Sequence, residues 1–426
     1  MLIEFRVENH RSLKTEQVLT MEAGRVDGDA TIPRTVPGYS KPLLPVAALY
    51  GANASGKSNV LSGLAFMREA VVHSLERWKP NGGIPRDPFA WGEARTAPSM
   101  YEITFSHRGI RYRYGMVVSD ESVEEEWLHA WPKGKQQTWF EREGQKFDFG
   151  DHLKGERRLL QEVTGPNSLF VSMAAAHNHP QISELYNWFF LMESFGVPPY
   201  SNERRGEEFV FSGLMKESLQ SEHGLESISK GTLPDSVLWD IRNLLVKADV
   251  GITEIKMKEN YIKAPVWKDS AERFMLQHES GVADSWLPLQ QESKGTQTMF
   301  QTGSLICYVL RSGGVLLVDE LEASLHPKLA LEIVKQFNNP QTNPKNAQLI
   351  FTTHDTNLLG NDAGEPVLRR DQVWLTEKDK EGATVLYPLT DFKPRKAENM
   401  ERGYLQGRYG AIPYLGNFSL LGEGAT

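Results

Sequence analysis

The first residues, Met1-Leu2-Ile3-Glu4-Phe5-Arg6-Val7-Glu8, alternate like a half-buried strand, and a polar loop bearing Pro and Gly follows over roughly 24–42. Leu44-Pro45-Val46-Ala47-Ala48-Leu49-Tyr50 is instead apolar throughout, as in a parallel strand covered on both faces. It runs into Gly51-Ala52-Asn53-Ala54-Ser55-Gly56-Lys57-Ser58, after which Val60, Leu61, Leu64, Phe66, Met67, Val71 and Leu75 recur at helical spacing. The pattern predicts strand, glycine loop, helix. From 99 to 150 the period returns to two, in Tyr101–Phe105 and Arg111–Val118, and His107-Arg108-Gly109 between them predicts a hairpin or meander. Residues 151–250 are helix-prone, with the aromatic run Tyr186–Phe190 as core and charge clusters at Glu203-Arg204-Arg205 and Glu207-Glu208, but without a sustained heptad. Strand-like stretches follow at Ile252–Ile262, Val315–Val318, Gln348–Thr353, 372–376 and 383–388. The expected organisation is an N-terminal lobe over 1–150, an inserted helical subdomain over 151–250 and a C-terminal lobe over 251–426, all of α/β class.

Composition narrows this little. With 426 residues, 40% hydrophobic and 24% charged, the chain can bury a substantial core. A net charge of -8 argues against non-specific coating of nucleic acid. The single cysteine, Cys307, excludes an intramolecular disulfide and sits in an apolar run as a small buried hydrophobe. No apolar run approaches the ~20 residues that span a bilayer, and the start has no signal-peptide pattern, so a soluble, cytoplasmic protein without membrane contact is expected.

Gly51 to Ser58 fits G-x-x-x-x-G-K-[ST] in the strand-to-helix context the motif requires. The glycines allow backbone N–H groups to cradle phosphate, Lys57 reaches the β and γ phosphates, and the Ser58 hydroxyl is a Mg²⁺ ligand. Val315-Leu316-Leu317-Val318-Asp319-Glu320 is an apolar strand ending in two acids, of which Asp319 can hold Mg²⁺ and Glu320 can polarise the attacking water. Gln348–Thr353 is a further apolar strand, capped by His354, whose imidazole can donate to the γ phosphate. Glu292-Ser293-Lys294-Gly295-Thr296-Gln297 opens a predicted helix, so Ser293 and Gly295 form an anion-binding turn. With the triphosphate already held by the glycine loop, that turn has no anion in its own chain, but a second subunit would present it to the same γ phosphate.

In this order the motifs resemble the ABC ATPases, and more narrowly the SMC/RecF-like branch. Asn9-His10-Arg11-Ser12 resembles the N-F-[RK]-S start of that branch, and Gly51-Ala52-Asn53-Ala54-Ser55-Gly56-Lys57-Ser58-Asn59 its phosphate loop. Asp319–Pro327, Thr352-Thr353-His354-Asp355 and the tail Gly403–Pro413 are similar to OLD-like and RloA-like ATPases of bacterial anti-phage and restriction-associated loci. The resemblance implies an ABC-type fold with a mixed sheet, an antiparallel β portion and an inserted helical subdomain. It implies ATP and Mg²⁺ as cofactors. Lys57, Ser58 and the loop residues Asn53, Ala54, Ser55 and Asn59 would lie on the nucleotide, with Asp319 on the metal. Glu320 would be the base, His354 the switch, and Ser293 with Gly295 the signature offered across a dimer, with Arg11 near the nucleotide. The signature departs from S-G-G-E/Q at Lys294. The insertion is too short for a long coiled coil, and too few residues follow His354 for a Toprim nuclease.

The expected function is therefore an ATPase that forms a homodimer or higher homo-oligomer on ATP and regulates a separate effector, a nuclease or toxin, in phage defence. The alternative is a DNA-repair or DNA-clamp ATPase acting directly on DNA. A monomeric P-loop kinase or GTPase would leave Ser293, Gly295 and His354 unexplained. His177-Asn178-His179, with no acid or cysteine nearby, makes a poor metal site. Lys393, Arg395, Lys396, Arg402 and Arg408, interleaved with Tyr404 and Tyr409, suggest a solvated or partner-binding face before a nucleic-acid one.

Overall fold

The opening alternation becomes strand β1 (Leu2–Glu8), which buries Leu2, Phe5 and Val7. The computed structural model describes residues 1–26, 29–79, 82–198, 235–248, 251–257, 274–280, 282, 284–323, 325–362, 365–393 and 398–413. The charge clusters at 203–208, residues 258–262 of the strand-like stretch, Ser324, Arg395 and Lys396 lie outside them.

β1 joins β2 (Gln17–Thr20), β4 (Ser99–His107), β5 (Ile110–Val118), β6 (Val123–Trp131), β7 (Gln137–Glu143) and β8 (Lys146–Phe149) in an antiparallel sheet of order β2-β1-β4-β5-β6-β7-β8. Between β4 and β5 the expected turn is tight: His107 pairs with Ile110, and Arg108 and Gly109 take φ of 48° and 78°. Two positive φ values in a two-residue loop match the right-handed twist of the flanking strands.

The second sheet has the order β18-β17-β3-β14-β13-β9, built from β3 (Val46–Gly51), β9 (Met192–Phe195), β13 (Val315–Val318), β14 (Gln348–Thr352), β17 (Val373–Lys378) and β18 (Thr384–Pro388). All neighbours are parallel except β17 and β18. Successive side chains of a strand point to opposite faces, and here each face has its own core. Ala47, Leu49, Leu317 and Ile350 pack with helix α1 (Lys57–Arg77) and the antiparallel sheet. Val46, Ala48, Tyr50, Leu316, Val318, Leu349 and Phe351 pack on the other side. Covering both faces explains why these strands are apolar without alternation. Buried Gln348 stitches the sheets together: its amide donates to the carbonyls of Leu2 and Leu44, each at 3.0 Å, and its oxygen accepts from Leu2 N.

Helices α2 (Arg158–Val163), α3 (Phe170–Ala176) and α4 (Ile182–Phe190) do not stand apart from this framework. They share the α1 core, and the buried carboxylate of Glu126 on β6 accepts from Phe170 N (2.8 Å) and Val171 N (3.1 Å) at the start of α3. β9 then enters the parallel sheet. Helix α5 (Asp235–Lys247) buries Ile241 and Leu245 in the second core, beside α6 (Lys294–Ser312), α7 (Pro327–Asn338), α8 (Met400–Leu405) and a small antiparallel sheet of β10 (Ile252–Met257), β11 (Phe274–His278) and β12 (Trp286–Pro288). The described part of 151–250 is thus woven into both cores. β15 (Asn361–Asp362) and β16 (Glu365–Pro366) make a minimal hairpin. Cys307 is buried in α6, and no helix among the described residues is long and apolar enough to cross a membrane.

His10 is fully buried, its ring nitrogens 2.7 Å from Ser62 Oγ and 2.9 Å from Tyr101 Oη. Burial, and next the charge of Arg11, lower its pKa to about 3. The unfolded chain therefore takes up this proton first, below its ordinary value of 6.5, and stability falls as pH drops from there towards 3. Between pH 7 and pH 5 this one group is expected to remove about 2 kcal/mol. His10→Gln should cost stability at pH 7 but lose less than the parent on acidification, as measured by urea unfolding. Equal acid losses in the two proteins would refute the assignment.

Candidate functional site

The phosphate loop is shaped by residues far away in sequence. A Cβ at Gly51 would lie 2.4 Å from Thr376 Oγ1 and 2.5 Å from Ser55 Oγ; at Gly56, where φ is +105°, it would lie 2.0 Å from Thr384 Oγ1. Only glycine fits either position. Ser55 Oγ meets Thr376 Oγ1 at 2.6 Å, and Thr384 Oγ1 lies 2.7 Å from both Ser55 O, to which it donates, and Ser12 Oγ. Asn59 Nδ2 donates to the same Ser12 Oγ at 2.6 Å. The β17–β18 hairpin and the segment after β1 thus clamp the loop, leaving Asn53 and Ala54 exposed at its tip. Gly56 caps α1 without a side-chain hydrogen bond, so the positive end of the helix dipole opens onto the loop.

Lys57, Ser58, Asp319 and His354 converge there. Lys57 Nζ donates to Gly51 O (2.9 Å) and Ala52 O (3.2 Å) and lies 3.0 Å from His354 Nε2. An ammonium group only donates, so Nε2 is the acceptor and the proton of the neutral ring sits on Nδ1. Burial holds the Lys57 pKa below its ordinary value, against the pull of Asp319, Glu320 and Glu322. Burial, then the Lys57 charge, likewise lower that of His354, which keeps it neutral at pH 7. Ser58 Oγ donates to Asp319 Oδ1 at 2.8 Å, as does Thr352 Oγ1 at 2.6 Å. Two convergent hydroxyls hold this carboxylate in one orientation, and a carboxylate with a hydroxyl is the hard-oxygen donor set that suits Mg²⁺.

Glu320 follows in the left-handed region, with φ of 55°. A non-glycine residue rarely adopts that conformation, and here the turn is secured by Glu320 N donating to Thr352 Oγ1 at 2.7 Å and Ala323 N to Glu320 O at 2.8 Å. The result is an exposed carboxylate within electrostatic reach of Lys57 and His354. Glu322 accepts from His354 N at 2.5 Å, fixing the backbone from which the imidazole projects. Thr352 and Glu322 escaped the sequence reasoning. Their signals were a polar residue closing an apolar strand and a third acid after Asp319-Glu320.

Ser293 and Gly295 lie at the start of α6, where the Ser293 hydroxyl accepts from Thr296 N at 3.1 Å. Among the described residues no hydrogen bond joins them to the phosphate loop. Arg11 pairs with Asp87 at 3.0 Å. In the tail, Tyr404 and Tyr409 are buried, Tyr404 packs edge-on against Tyr50 at 5.5 Å, and Arg408 pairs with Glu398 at 2.8 Å. These tyrosines are therefore core and offer no stacking platform. The rings of His177 and His179 engage backbone groups of Met173 and Ile182, and no cluster of metal-ligating side chains of three or more occurs among the described residues.

A glycine loop between a buried parallel strand and a helix, facing a serine–aspartate pair and a strand-end histidine, is the arrangement of a P-loop nucleotide-binding site. The chain belongs to the family described as "AAA domain, putative AbiEii toxin, Type IV TA system", which it matches over residues 46–360. It is 30% identical over 143 residues to the Septu protein PtuA of Bacillus mycoides (strain KBAB4), a match covering 32% of this chain and 19% of that relative. Among solved structures it is similar to an SMC head bound to the C-winged helix domain of ScpA (9% identity, TM-score 0.48, 91% of this chain and 97% of the other). It is also similar to the SMC head domain of Thermotoga maritima (11% identity, TM-score 0.40, 91% and 98%).

Proposed function

We propose that this chain binds and hydrolyses Mg·ATP at a site completed by a second copy, and that the ATP-dependent association controls a separate effector in phage defence. The convergence of Lys57, Ser58, Asp319 and His354 at the phosphate loop carries the reading. Lys57 exchanges its carbonyl partners for phosphate oxygens, which favour its charged form more strongly. Ser58 and Asp319 would hold Mg²⁺, whose contribution when bound is to neutralise charge on the β and γ phosphates. Glu320 orients the attacking water and accepts its proton. His354, released from Lys57, turns an N–H towards the γ phosphate.

Gly295 supports the composite site. Among the described residues a Cβ there would find only Ser293 Oγ, at 3.7 Å, and its φ is not positive. Nothing among the described residues requires glycine there, although glycine costs about 1 kcal/mol relative to alanine inside a helix. Close approach from outside accounts for it. The effector, a nuclease or toxin, is proposed from the resemblance to defence ATPases, an argument by analogy.

The test is the native mass of Glu320→Gln protein with and without Mg·ATP. Removing the base is expected to slow turnover by about 10²–10⁴-fold and so trap the bound state. The mass should then double with Mg·ATP. A mass that stays that of a single chain, with nucleotide demonstrably bound, would sink the composite-site mechanism.

A further inference from the structure

We infer that Trp91 is the residue on which the nucleobase stacks, an inference that rests on ATP binding at the phosphate loop. Trp91 is 62% exposed, in a loop pinned on both sides of it. Asn9 Nδ2 donates to the carbonyls of Ala94 (2.7 Å), Ala97 (2.8 Å) and Pro98 (3.1 Å), and Asn9 Oδ1 accepts from Phe89 N (2.9 Å). At the other end of the same loop, Arg11 binds Asp87 through both its backbone N–H and its guanidinium. The two residues that flank His10 thus both help to build the loop that displays this indole. Phe89 backs the indole edge-on, with ring centroids 5.1 Å apart at 78°.

The loop faces the site. The indole Cζ3 lies 3.6 Å from where a Cβ would stand on Gly382, in the turn between β17 and β18. Two residues further on, at most about 7 Å along an extended chain, Thr384 grips Ser55 O and closes over Gly56. Beside the indole, Lys14 pairs with Glu381 and its ammonium lies 5.8 Å from the Phe89 ring centre. From the phosphate loop outwards a chain of contacts therefore runs from Gly56 through Ser12 and buried Thr384 to Gly382 and Trp91. Phosphate donors stand at one end and a large π face at the other, the order in which a nucleoside triphosphate presents phosphates and base.

A single exposed aromatic is common on protein surfaces. This one differs in being rigidly presented, which cuts the entropy lost when a flat ligand stacks on it. Aromatic–base stacking is sequence-tolerant because every base has a π face, so Trp91 supplies affinity for a nucleoside and leaves the choice of base to other contacts.

Calorimetric titration of the parent, Trp91→Ala and Trp91→Phe with Mg·ATP and with magnesium tripolyphosphate tests this. Trp91→Ala is expected to bind Mg·ATP roughly tenfold more weakly or worse, with tripolyphosphate affinity unchanged. Trp91→Phe should recover most of the loss. Equal ATP affinity in Trp91→Ala and the parent would overturn the stacking role and leave ATP binding standing. Equal loss for ATP and tripolyphosphate would show a loop-shape effect and overturn it too. A parent protein that binds neither ligand would overturn the ATP reading, and this inference with it.

Discussion

Lys57→Met is expected to abolish the stabilisation of the protein by Mg·ATP while leaving its fold in place. The methionine keeps most of the aliphatic stem that packs at the start of α1, so the change acts on charge more than on volume. Removing one partner of a desolvated charge pair costs about 2–5 kcal/mol, or at least thirtyfold in affinity. At a nucleotide concentration a hundred times the parent dissociation constant, the parent gains about 2.7 kcal/mol. A variant bound a hundredfold more weakly gains only about 0.4 kcal/mol at the same concentration. The thermal midpoint should therefore rise with Mg·ATP in the parent and barely move in the variant. A second readout is internal to the site. Because the Lys57 charge helps depress the His354 pKa, the imidazole should titrate at higher pH in the variant, which NMR of the ring protons reports. An equal nucleotide-induced shift of the midpoint in both proteins would remove Lys57 from the phosphate site.

Ser293→Arg should leave nucleotide affinity per chain unchanged and lower turnover by about two orders of magnitude or more, the scale seen when a transition-state donor is lost. Ser293 is exposed, and its only described side-chain partner is Thr296 of its own helix. The substitution therefore costs its own fold little beyond a helix cap, about 0.5–2 kcal/mol. Gly295→Ala sharpens the argument, because the two explanations of that glycine predict opposite pairings of effects. If Gly295 serves only its own helix, alanine stabilises the protein and turnover is unaffected. If another copy's nucleotide closes on it, alanine still stabilises the isolated chain but turnover falls. Steady-state turnover as a function of protein concentration, together with thermal midpoints, separates the cases. Full activity in Ser293→Arg would place the whole reaction within one chain.

The two sheets and the phosphate loop were readable along the chain because their signals are local. β3 and β14 are apolar on both faces, and the glycines at 51 and 56 sit where strand gives way to helix. β9 was invisible for the opposite reason. It is four residues long, with Glu193 and Ser194 at its centre, and it lies at the sheet edge, where only β13 demands a register. The stretch holding α2 to α4 read as helix-prone, but nothing in that shows that Glu126, on a strand 44 residues before Phe170, would anchor the start of α3. Within the site, Lys57, Ser58, Asp319 and His354 lie together. Thr352 and Glu322 serve a function that only three-dimensional convergence reveals. Arg11, expected near the nucleotide, pairs with Asp87, a partner 76 residues away that no local pattern predicts.

The clamp on the phosphate loop has a consequence for biosynthesis. Thr376 and Thr384, which hold Ser55 in place, are translated more than 300 residues after it. A ribosome that has just delivered Ser58 has released the nucleotide motif as a string of letters without its shape. Loop closures of that span form late, since their entropy must be overcome before the contacts repay it. Nucleotide can accordingly bind tightly only after both strands of the β17–β18 hairpin have emerged and docked. On the proposed reading, ATP would then stabilise only chains in which this clamp has closed.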